Sequence, residues 1–183
     1  MGQTDLSKYS VGSYRGGPRI KVLVWYLVNY FIFFSRIPFP SSFKAFLLRI
    51  FGAKAGKGLV IKPKVRIKYP WRLEIGNYCW IGEGVWIDNI VDIKIGSNVC
   101  ISQEAILLTG NHDYSKSDFS PRYDNIELED GVWICARAIV CPGVICRSHS
   151  ILTVNSVANR EMEAMKIYSG NPAAIVRDRV INP

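Results

Sequence analysis

An aliphatic residue returns at every sixth position over almost a hundred residues of this chain, and few folds can satisfy that constraint. The frame runs through Ile61 and Ile67, then Ile75, Ile81 and Ile87, then Ile95, Ile101 and Leu107. After an interruption it resumes at Leu128, Ile134, Val140, Cys146, Leu152 and Ala158. Four places after most of these starts sits a small or β-branched residue: Val65, Cys79, Val85, Val91, Val99, Ala105, Val132, Ala138, Val144, Ser150 and Ser156. A period of six fits neither the 3.6 of a helix nor the simple alternation of an ordinary strand. It fits very short strands separated by regular corners, each coil hydrogen-bonded to the last as parallel sheet. In such a prism the start residue points into the core and the small residue fills the inner corner. Gly or Asn at Gly76-Asn77, Gly82, Gly96 and Gly143 would supply backbone freedom.

Two steps, Ile67 to Ile75 and Ile87 to Ile95, are eight residues long, so two residues are expected to bulge from a corner at each. The larger interruption, 110–126, reads Asn-His-Asp-Tyr-Ser-Lys-Ser-Asp-Phe-Ser-Pro at its heart and cannot form a prism face. It is expected to be an extruded loop, and long loops on regular scaffolds are where function gathers. Ahead of the prism two helices are expected, at about 19–35 and 42–51, broken near Pro38 and Pro40. The first is apolar nearly all round and must be covered by the prism flank, by a neighbouring chain or by a membrane surface. The chain thus divides into an N-terminal tail and helical segment (1–56), the prism with its loop (57–166) and a C-terminal segment (167–183).

Net charge is +8, split as about +13 up to Arg72 and −5 after it, with Asp5 the single acid in the first part. An anionic lipid face or a phosphorylated acceptor suits such a surface at least as well as nucleic acid, for which no motif is present; a solvated basic face is the plain alternative. No apolar run reaches the roughly 18 to 20 residues of a membrane-spanning helix, and the start of the chain lacks the apolar core of a secretory signal, so the expected location is the cytosol. The cysteines (79, 100, 135, 141 and 146) form no C-x-x-C pair and read as small buried apolar residues. A catalytic thiol would need a base beside it that the sequence does not supply.

The blocks Ile75-Gly76-Asn77-Tyr78-Cys79-Trp80-Ile81-Gly82, Thr109-Gly110-Asn111-His112-Asp113, Gly131-Val132-Trp133-Ile134, Pro142-Gly143-Val144 and Gly170-Asn171-Pro172-Ala173 resemble the hexapeptide-repeat acyltransferases, most closely the colanic-acid acetyltransferase branch. The resemblance covers about residues 50 to 180. It implies a left-handed parallel β-helix, three chains around a threefold axis, acetyl-CoA as co-substrate and a saccharide hydroxyl as acceptor. The same fold could serve a small free metabolite of the serine or maltose type, or a trimeric scaffold without activity, against which the retained motifs argue.

His112 lies in the extruded loop in the family's Asn-His context, and the resemblance makes it the general base, a role suited to a side chain that titrates near neutrality. Either Asp113 or a main-chain carbonyl would fix its tautomer. Asn111 corresponds to an acceptor-binding position, though it could equally cap the loop. His149, between Ser148 and Ser150 at a regular position, reads as a corner residue. Two distant histidines cannot supply the three-histidine zinc site of the γ-class carbonic anhydrases, and no metal is expected. The resemblance further implies that pantetheine passes Trp133 and Ala136 between two chains and that Arg160 and Arg177 meet the phosphates, arginine offering paired hydrogen bonds. One site would then combine the His112 loop of one chain with the Trp133 face of its neighbour. Cys135, Cys141, Arg147 and Thr153 stand where relatives commonly carry Gly, so the groove is expected either to be narrower or to have these side chains turned away.

Overall fold

The computed structural model describes residues 2–12 and 14–182, which form a left-handed parallel β-helix of about six turns closed at its base by two helices. The first face stacks Lys54–Ala55, Leu73–Ile75, Ile93–Ile95, Ile126–Leu128 and Ile145–Cys146. The second stacks Val60–Ile61, Trp80–Ile81, Cys100–Ile101, Trp133–Ile134, Ile151–Leu152 and Lys166–Gly170, and ends in Ala173–Asp178, which turns back antiparallel. The third stacks Arg66–Ile67, Trp86–Asp88, Ile106–Leu108, Ile139–Val140 and Val157–Ala158. Every start residue from Ile61 to Ala158 is at most 3% exposed, so the six-residue frame is the inward column of the prism. Burying each such aliphatic side chain contributes about 1.5–3 kcal/mol.

The eight-residue steps and the loop all leave the prism at one corner, where the third face passes to the first. Each eight-residue step also lengthens the first-face strand, so Leu73 and Ile93 join Ile75 and Ile95 in the core. Asn89, fully buried, holds the first insertion: its Oδ1 accepts from Lys68 N and Tyr69 N at 3.1 and 3.0 Å, and its Nδ2 donates to Tyr69 O and Arg72 O. Thr109 repeats the device one coil later, its Oγ1 donating to Asp88 O and accepting from Val91 N.

The glycines do a different job from the one expected of most of them. The residue three places after each start, in every six-residue step, has φ between +56° and +80°; apart from Gly84, Gly131 and Gly143 these are Lys64, Tyr78, Asn98, Glu104, Arg137, His149 and Asn155. Gly76, Gly82 and Gly96 immediately follow a start and do not have positive φ. A Cβ on Gly76 would lie 2.6 Å from the carbonyl carbon of Gly96 in the next coil, so these positions are small because coils stack there. The inward column also continues past Ala158 to Met162 and Tyr168, both buried, through a shortened step of four residues.

Helix α1 (Arg19–Val28) follows Pro18 and runs on as a π-helical turn, Asn29–Phe33; α2 (Ser41–Ile50) follows Pro40. A first coil has no earlier coil beneath it, and its strand edge needs partners. The helices provide them: Trp25 Nε1 donates to Ile67 O at 2.9 Å, Asn29 Oδ1 accepts from Ile67 N at 3.3 Å, and Ser41 Oγ accepts from Ile61 N at 2.9 Å. Lys44, fully buried, donates to Ile61 O and Lys62 O, and desolvation lowers its pKa. Cover for the apolar helix is therefore one-sided. Trp25 and Phe33 face the prism, whereas Leu23, Leu27, Tyr30, Phe31, Phe34 and Phe46 are exposed. No helix of the described residues is long and apolar enough to cross a membrane.

Candidate active site

The extruded segment is a two-stranded antiparallel hairpin, Gly110–His112 against Pro121–Tyr123, with His112 opposite Pro121. Half-buried, the His112 ring lies flat on the Phe119 ring, 4.3 Å between centroids at 11°, and its Nδ1 is 3.0 Å from the Phe119 carbonyl oxygen. A carbonyl only accepts, so Nδ1 carries the proton and Nε2 presents its lone pair. Phe119 delivers that carbonyl from φ +53°, an uncommon conformation for a bulky residue. Asp113 is engaged elsewhere: its carboxylate accepts from the Ser115 hydroxyl and amide and pairs with Arg122, and the Ser115 hydrogen bonds hold its pKa below the usual range. Asn111 is exposed, with Oδ1 accepting from the adjacent His112 N at 2.8 Å.

Trp133 stands on the second face, half exposed, with Nε1 donating to Ser102 Oγ at 2.9 Å. Beside it an open groove of about 500 Å³ is lined by Trp80, Gly82, Cys100, Ser102 and Gln103. The ladder places Trp133, Ile151, Ile167 and Arg177 in one column, which carries the exposed Arg177 three strand spacings, about 14 Å, along the prism from Trp133. Ala136 lies half-buried at the adjoining corner, its carbonyl bonded by Asn155 N. Arg160, exposed, follows the last third-face strand and so sits on the same edge as the His112 hairpin, two coils on. In a three-sided prism the edge between the third and first faces lies opposite the second face. One chain therefore puts Trp133 and Arg177 in one column of the second face and His112 and Arg160 along one edge, on opposite sides of the prism.

No family model matches the chain. WcaF, the acetyltransferase assigned to colanic acid biosynthesis in Escherichia coli, is 38% identical to it over 177 residues, covering 96% of this chain and 97% of WcaF. The chain belongs to the hexapeptide-repeat acetyltransferases, in their colanic-acid branch. Its fold matches a hexapeptide-repeat acetyltransferase of Vibrio cholerae solved with acetyl-CoA, at a TM-score of 0.78 and 21% identity over 89% of this chain and 87% of that one. It also matches a galactoside acetyltransferase solved with coenzyme A, at 0.76 and 19% over 87% and 80%.

For this hexapeptide-repeat acetyltransferase the four side chains expected either to narrow the groove or to turn away each have a defined place. Cys135 is buried, Cys141 is half-buried against the core, Thr153 Oγ1 is 3.0 Å from Ser156 Oγ, and Arg147 is drawn off between Glu129 and Glu161. Burial pushes the Cys135 thiol up to about 11 and the Cys146 thiol up to about 12, which leaves neither a nucleophile near neutrality. His149 is a corner residue at φ +60°, its ring lying over Gly131. Among the described residues no three His, Cys, Asp or Glu side chains gather as a metal site would require. Phe119 had no signal in the sequence, since its part is played by a main-chain oxygen.

Proposed function

We propose that this acetyltransferase moves acetyl from acetyl-CoA to a hydroxyl of a saccharide, with His112 as general base and direct transfer in a ternary complex. The observation that carries the reading is the Phe119 carbonyl on Nδ1, which frees Nε2 for the acceptor proton. As the acceptor oxygen attacks the thioester carbonyl, its proton passes to Nε2, and the imidazolium returns that proton to the departing thiolate. Asn111 Nδ2 is the group beside the base that is free to meet the acceptor. Trp133, Ala136 and Arg177 of one chain and Arg160 of the next hold the donor, within a homotrimer that brings each hairpin edge against a neighbouring second face. The saccharide acceptor is supported by the kinship to WcaF.

The test is release of free thiol from acetyl-CoA across an acceptor panel containing hexosides, maltose and serine. Turnover with hexosides is expected, and His112→Ala should lower it by roughly 10²–10⁴-fold with acetyl-CoA affinity nearly unchanged. Turnover with serine alone would replace the saccharide by a small metabolite, and near-normal turnover in His112→Ala would remove the base.

The acceptor is met at the cytoplasmic leaflet of a membrane, with the enzyme bound peripherally through its helical cap. Exposed Leu27, Phe31 and Phe34 support this, together with the absence of any acidic residue between Asp5 and Glu74. Arg19 and Arg36, both exposed, flank the apolar surface, each contributing about 1 kcal/mol at an anionic interface. Lys21 is less available, its ammonium lying 4.6 Å over the Trp71 ring. The enzyme should float with phosphatidylserine-containing liposomes at low salt, less so at high salt, and not as a Leu27→Asp, Phe31→Asp double variant. Failure to float at any salt would mean that another surface covers the cap.

A further inference from the structure

The segment ahead of α1 does not trail away from the prism; it climbs the one corner that carries all the insertions. Trp71 Nε1 donates to Gly16 O at 2.7 Å, and Arg72 donates to Arg15 O at 3.1 Å, both from the first insertion. Gly16 packs closely on Tyr69, whose hydroxyl oxygen would lie 2.5 Å from a Cβ there. Tyr14 donates its hydroxyl proton to Ile90 O of the second insertion at 3.0 Å, with the Arg72 guanidinium 5.3 Å over its ring. The same ring packs 5.0 Å from Tyr123 in the hairpin. Further along, Asp5 N donates to Ser117 O at 2.7 Å, and the Tyr9 ring lies 5.7 Å from the His112 ring at 56°. The six-residue frame by itself needs none of these insertions. Together they make a continuous seat for the N-terminal segment.

We infer that residues 2–12 and 14–17 act as a strap that holds the His112 hairpin in catalytic register, and that Tyr9 is a positioning residue for the imidazole. The assignment rests on the reading of His112 as base. His112 takes its orientation from Phe119 in the same hairpin, and a hairpin extruded from a corner has only its root to tie it to the prism. The strap adds a second attachment at its tip through Asp5 and Ser117, and a second aromatic contact on the ring through Tyr9.

The test uses the full-length enzyme, a deletion of residues 2–12, Tyr9→Ala and Tyr9→Phe, read by amide hydrogen exchange and by ¹⁵N NMR of the histidine rings. In the deletion, exchange over residues 110–123 should rise by about tenfold or more, while the frame from Leu128 to Ala158 stays as protected as before. In Tyr9→Ala the His112 ring should pass from the single Nδ1–H tautomer to a mixture, and Tyr9→Phe should restore the single form. Unchanged exchange in the hairpin with an unchanged tautomer in Tyr9→Ala would overturn the strap. So would an increase in exchange spread evenly over the frame, since that is loss of general stability. Persisting turnover in His112→Ala would remove the base and leave the exchange result standing, so the two readings fail separately.

Discussion

A neutral imidazole carries one ring proton, and at His112 a main-chain oxygen decides where it sits. The residue beside it in sequence, Asp113, is occupied by Ser115 and Arg122, so nearness along the chain misleads here. The loop that holds His112 was legible because its composition breaks the six-residue frame; its internal geometry was not, because it depends on Phe119 adopting φ +53°, which no residue type advertises. The arginines are a similar case. Both were identifiable by resemblance, yet only the ladder separates Arg177, in the column of Trp133, from Arg160, on the hairpin's edge. If each meets the phosphate end of the donor, Arg160→Ala and Arg177→Ala should each raise the apparent constant for acetyl-CoA by about tenfold or more, the equivalent of one charge-assisted hydrogen bond. Neither should alter turnover of a short acetyl thioester that lacks the nucleotide. Equal losses with both donors would show that the arginines support structure.

At the scale of the coil, the sequence pattern marks what must face inward much better than it marks why a residue is small. The start positions from Ile61 to Ala158 were recoverable from periodicity, since burial acts on each separately. Gly143 was read correctly, at φ +80°, but Gly76, Gly82 and Gly96 were not, because two demands, left-handed backbone and close stacking of coils, both select Gly and the sequence does not separate them. A direct check is to replace one of each. Gly76→Ala pushes a Cβ into the backbone of Gly96 and should destabilise by about 1–3 kcal/mol, lowering the melting temperature by roughly 2–12 °C. Gly84→Asn, at a corner where Asn155 occupies the equivalent place in a later coil, should cost less than about 1 kcal/mol. A Gly84→Asn penalty as large as that of Gly76→Ala would contradict the distinction. The last turn of the frame, Met162 and Tyr168, escaped notice because a four-residue step and two residues outside the aliphatic set hide it.

The whole molecule is uneven along its axis and around it. Along the axis, the basic residues collect at the base with the apolar cap and the acids toward the far coils. Around it, one edge carries every insertion, the hairpin and the strap, while the opposite face carries Trp133 and its groove. On the proposed reading the two halves of the acetyl-transfer site lie on opposite sides of one chain, so a neighbouring chain must complete it. The measurement that tests this most directly mixes two inactive enzymes, His112→Ala and a Trp133→Ala, Arg177→Ala double variant, and follows thiol release after subunit exchange. Each restored site takes its edge from one variant and its face from the other, so an equal mixture should recover about a quarter of wild-type activity. A mixture no more active than its parents after demonstrated exchange, or a fully active monomer by light scattering, would contradict the shared site.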